Sequence, residues 1–135
     1  MPILGDPAQI AYLTAVATQN SGNITVNTAT ISNHNILIAD LTAENVNLAA
    51  ANLQRLDNNL TLAAIMAEVV NPLWIAYLAT IVTQNLAKIA ENTATISDNS
   101  GLITALTSQN ATLSSTNSEL AADNVLIAAI IAEIP

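Results

Sequence analysis

The feature that most constrains this chain is a seven-residue beat in which one seam position turns polar three times running. Between Thr18 and His34 the residues Asn20, Asn27 and His34 fall seven apart, and Ala17, Ile24 and Ile31 keep the same beat three residues earlier. Apolar residues repeating at heptad positions a and d mark helices packed along a seam. From Ile10 the beat runs unbroken, with Ile10, Ala17, Ile24, Ile31, Ile38, Asn45, Asn52, Asn59 and Met66 at a. The d positions are Leu13, Asn20, Asn27, His34, Leu41, Leu48, Arg55, Leu62 and Val69. Then the text repeats. Residues 10–13, 18–20 and 27–32 return at 75–78, 83–85 and 92–97, and 28 of 64 positions agree at an offset of 65. The duplicated seam has Asn110, Asn117 and Asn124 at a and Asn85, Asn92 and Asn99 at d, while Arg55 becomes Leu120.

An offset of 65 is nine heptads plus two residues, a phase shift that neither a stutter nor a stammer supplies. Asp6-Pro7 and Asn71-Pro72 each read as an N-cap followed by Pro in the first turn, and Gln9 nearly completes a capping box. A residue before Pro avoids the helical region, and Val70 with Ile75 is placed for a hydrophobic staple. The expected fold is therefore all-α and a single domain, 1–135. It has two long helices, repeat 1 over 6–69 and repeat 2 over 71–134, joined by a loop at about 70–74. Each helix would be about 95 Å long at 1.5 Å per residue. One rod with a kink is the competing arrangement.

The order of the polar layers chooses the direction. An antiparallel pair sets a against d. Facing residues whose numbers total 144 brings Asn20 to Asn124, Asn27 to Asn117 and His34 to Asn110. The same rule brings Asn45 to Asn99, Asn52 to Asn92 and Asn59 to Asn85. An antiparallel hairpin follows. Each repeat is also palindromic, its polar positions pairing to 79 in repeat 1 and to 209 in repeat 2. Two hairpins could thus dock with every amide layer in register, as an oligomeric bundle. A second apolar ridge at Val46, Ala49, Leu53, Leu56 and Leu60 favours further association.

Composition removes several function classes. The only basic residues are Arg55 and Lys88, and the net charge is −8, which opposes nucleic acid and anionic membranes alike. Without cysteine there is no disulfide or thiolate metal site, and a single histidine gives no His cluster. The longest apolar run, Val125 to Ala132, falls short of the ~20 residues of a membrane span, so no transmembrane segment is expected. The first residues carry no signal-peptide pattern. Localisation stays open, with low charge and abundant Asn and Thr pointing toward a surface or extracellular structure.

Twelve seam residues are the candidate site: Asn20, Asn27, His34, Asn45, Asn52, Asn59, Asn85, Asn92, Asn99, Asn110, Asn117 and Asn124. A buried amide without partners costs about 1–3 kcal/mol, and one polar seam residue already fixes register. The layers are expected to set register and direction; the alternative is that they surround a buried anion or water. Ile24-x-x-Asn27-Thr28 and Ile89-x-x-Asn92-Thr93 resemble the Asn-at-d motif of trimeric autotransporter adhesin stalks, over a few residues per repeat. That resemblance implies inward Asn rings holding anions in a parallel trimer.

Other residues offer little chemistry. His34 reads as a hydrogen-bonding seam member, and Arg55 as a side chain that snorkels or meets an acidic neighbour. Asp40 with Glu44 reads as a solvated face, and Tyr12, Trp74 and Tyr77 as end caps. No nucleophile–base pair or phosphate loop is present. The expectation is a non-enzymatic, cofactor-free structural protein that assembles with itself as fibre, coat or spacer. An amphipathic coat on an apolar granule or interface is the alternative.

Overall fold

The computed structural model describes residues 7–135, in which two helices account for nearly all of the chain. Helix α1 spans Pro7–Glu68 and helix α2 spans Pro72–Glu133. The Asp6 cap expected for α1 lies outside the described residues. The helices pack against each other in two compact units, residues 7–37 with Leu106–Pro135, and Ile38–Ala105. Within each unit they run antiparallel.

The heptad explains which residues meet. Every a and d position from Ile10 to Ile134 is buried or half-buried, and the only other covered residues among those described are seven at g, such as Val16, Thr30 and Ile81. Hydroxyl side chains are compatible with these helices because most bond back to the carbonyl four residues earlier. Thr42 to Ile38 at 2.7 Å and Thr104 to Ser100 at 3.0 Å are examples. Such bonds satisfy the polar group locally, so Ser and Thr reside in mid-helix without competing for the seam.

The connection is tighter than the 70–74 loop read from sequence: only residues 69–71 are non-helical, and Leu73 and Trp74 already belong to α2. Asn71 explains why. Its Oδ1 accepts from the Leu73 backbone N–H at 3.0 Å, and its carbonyl accepts the first helical bond from Ile75 at 3.1 Å. It is thus an N-cap, with Pro72 at the first helical position. The expected staple does not form, since Val70 is 92% exposed. The cap alone starts α2.

A second difference concerns α2, which is long and apolar enough by length and composition to cross a membrane, despite having no long unbroken apolar run. Its Ala, Ile, Leu and Val surround the helix and outweigh the interspersed Asn and Thr. Leu73 and Trp74 open this helix, and Trp74 meets Tyr77 edge to face at 6.1 Å.

Replacing Asn71 by Ala should lower stability by about 1 kcal/mol. Urea denaturation at fixed protein concentration checks this; an unchanged midpoint would show that Pro72 suffices to start α2.

Candidate functional site: a ladder of paired amides

In residues 7–37 with Leu106–Pro135, three side-chain bonds cross between the helices. Asn20 Nδ2 donates to Asn124 Oδ1 at 3.0 Å, and Asn27 Nδ2 to Asn117 Oδ1 at 2.9 Å. His34 Nδ1 lies 2.8 Å from Asn110 Oδ1, and because that oxygen only accepts, Nδ1 carries the proton. Ile38–Ala105 repeats the arrangement. Here Asn99 donates to Asn45 at 3.0 Å, Asn92 to Asn52 at 2.9 Å and Asn85 to Asn59 at 2.7 Å. All twelve seam residues are brought together, in the six pairs whose numbers total 144.

The polarity is the same in all six. The d side chain donates and the a side chain accepts. Each a-position amide then needs an acceptor for its own N–H groups, and the residue following the facing d position provides one. Asn124 Nδ2 donates to Ser21 Oγ at 3.1 Å, Asn117 to Thr28 Oγ1 at 3.3 Å and Asn110 to Asn35 Oδ1 at 2.9 Å. In the other unit Asn45 donates to Ser100 Oγ and Asn52 to Thr93 Oγ1, both at 3.3 Å. The hydroxyls are free to accept because their own protons go to carbonyls four residues back. Ser21 bonds Ala17, Thr28 bonds Ile24, Thr93 bonds Ile89 and Ser100 bonds Ile96. Four of the six layers are therefore full relays: d amide to a amide, a amide to e hydroxyl, hydroxyl to backbone. In a fifth, His34 donates in place of a d amide and Asn35 accepts in place of a hydroxyl.

These e positions escaped the sequence reading, which weighed only a and d. The signal was available: Ser21, Thr28, Asn35, Thr93 and Ser100 each follow a polar d residue. The sixth place is held by Leu86, and there the relay fails. Asn59 Nδ2 is buried without a partner. One turn earlier on the same face, Arg55 Nε is also buried without a partner, and Arg55 forms no ion pair. Of the two readings of Arg55, snorkelling or meeting an acidic neighbour, the second finds no partner within the described residues of this chain.

Within the chain each layer pairs one a side chain with one d side chain. Asn92, at 5% exposure, is the buried polar residue. Glu44 stays exposed, as expected of a solvated face, and also accepts from Asn99 Nδ2 at 3.1 Å. The ion pair among the described residues is Lys88 with Glu91 at 2.8 Å, exposed and three residues apart. No group of three or more His, Cys, Asp or Glu side chains that could hold a metal comes together among the described residues. No family model, no curated protein and no solved structure matches the chain.

Leu86→Thr should complete the sixth relay by giving Asn59 an acceptor, raising stability by about 1 kcal/mol, while Thr93→Val should cost a similar amount. Leu86 is half exposed, so little apolar burial is lost. Denaturation midpoints of the two variants check the relay; destabilisation by Leu86→Thr would contradict it.

Proposed function

We propose that the chain is a structural, non-enzymatic coiled-coil protein that assembles with itself, as a fibre, coat or spacer, with the amide layers setting helix register. The observation that carries this reading is how little a single chain hides. Its buried side chains among the described residues are Leu106, Ile127 and Asn92, whereas 18 large apolar side chains are exposed. The accessible surface is 9027 Å², against about 6,700 Å² for a compact monomer of this mass. The surplus exceeds the roughly 800 Å² that each partner contributes to an ordinary stable interface. Exposed apolar side chains in this number point to an interaction face.

The polar side chains support the same reading. Seam amides are bonded to one another and to hydroxyls, so they are committed to holding helices together. With only two basic residues, the chain offers no basic patch that would select an acidic partner. An apolar interface is the second reading, favoured by the exposed Val46, Leu53 and Leu60 ridge on α1 and by the apolar character of α2.

Sedimentation at micromolar concentration, with electron microscopy of the same sample at neutral pH, tests the proposal. Filaments or discrete bundles are expected. A monodisperse monomer would overturn self-assembly, and helicity that rises on adding neutral lipid vesicles would then favour the interface coat.

A further inference from the structure

We infer that a second copy of the chain seats antiparallel on the d/g flank of the helix pair, α1 against α1 and α2 against α2, with amide layers against amide layers. This rests on the self-association proposed above and adds the face, the direction and the register.

The flank is identified by its openness. In residues 7–37 with Leu106–Pro135, one groove is lined by Gln9, Leu13, Ile130 and Ile134, and another by Thr30, His34, Gln109 and Leu113. In Ile38–Ala105 a groove is lined by Asn58, Leu62, Ile81 and Asn85. These are g and d residues, and most of the remaining lining, such as Tyr12, Thr112 and Thr61, sits at the adjacent c position, with none at e. The opposite, e flank carries the hydroxyls already tied to the amides. Along g, Leu37, Ile65, Leu102 and Ile130 remain 41% to 45% exposed.

The occupant is identified by self-complementarity. The two-fold operation that pairs seam residues to 79 in α1 and 209 in α2 pairs g residues to 81 and 211. On α2 it sets Ile81 against Ile130 of the second copy, Thr95 against Thr116, and Lys88 against Asp123. On α1 it sets Val16 against Ile65 and Thr30 against Ala51. Aliphatic meets aliphatic in two of these pairs, Thr95 meets Thr116, Thr30 meets the small Ala51, and the chain's only lysine meets a carboxylate. Near the two-fold centre, Leu37 meets the aliphatic stem of Glu44 and Leu102 that of Gln109. An exposed ion pair contributes at most about 1 kcal/mol, so Lys88 with Asp123 marks register while apolar burial drives association. One layer departs from the match, because Arg55 faces Ile24 and Leu120 of the second copy.

The test uses the absence of native cysteine. In a Thr95→Cys, Thr116→Cys variant the two thiols lie on one helix about 31 Å apart at 1.5 Å per residue, beyond any disulfide. Mild oxidation should therefore give a covalent dimer. A Thr28→Cys, Ala49→Cys variant, on the e flank at the same separation, should stay uncrosslinked. In sedimentation, Lys88→Glu should weaken the dimer roughly fivefold, and adding Asp123→Lys should restore it. Crosslinking on the e flank, or none at 95 and 116 in a chain that still sediments as an oligomer, would overturn this docking alone. An unaltered dimer in Lys88→Glu would do the same. A chain that sediments as a monomer would instead remove the self-association on which it rests.

Discussion

Everything in this structure depends on one interaction: a d-position amide donating to an a-position amide on the facing helix. A hydrogen bond of this kind contributes only about 0.5–1.5 kcal/mol net, so five amide layers and the His34 layer do not drive folding. Their force is in what they forbid. Shifting one helix by a heptad leaves four polar seam side chains opposite Leu, Ile or Met. At about 1–3 kcal/mol each, the shift costs on the order of 4–12 kcal/mol, comparable to the whole stability of a domain. Within the hairpin the three-residue connection already restricts sliding. Between copies no loop does, and the layers become the main determinant of register.

The relay also explains a composition that would otherwise be puzzling. A two-helix seam with this many amides needs acceptors beyond the facing amide, and small hydroxyl residues at e provide them while donating inward to the backbone. Thr and Ser are therefore structural here in the same sense as Ile and Leu. Leu86 shows the rule by breaking it, since the amide it faces, Asn59, is left with an unpartnered buried donor. Arg55, one turn away, is a second uncompensated group in a chain otherwise well satisfied.

Much of this was legible from the residues. The heptad and the two-residue phase shift of the duplication dictate two helices, and the run of polar d then polar a positions dictates an antiparallel pair. All six cross-helix pairs follow from that alone. The turn was less legible, because Leu73 and Trp74 carry no helix-start signal themselves; the Asn71 side chain draws them into the first turn. The e hydroxyls were missed because a seam reading stops at a and d. The bond from Asn99 to Glu44 and the unpartnered Nε of Arg55 depend on side-chain reach, which spacing does not encode.

The central claim is that the layers specify register at the expense of stability. Its most direct test replaces Asn27, Asn52, Asn92 and Asn117 by Leu, turning two complete layers apolar, with spin labels at positions 13 and 131 diluted into unlabelled protein. The native seam should give one narrow distance of about 10–20 Å, set by helices packed 8–10 Å apart. The variant should melt higher, with a broadened distance or a mixed oligomer size. A variant that melts lower while keeping the single narrow distance and the native oligomer size would contradict the account.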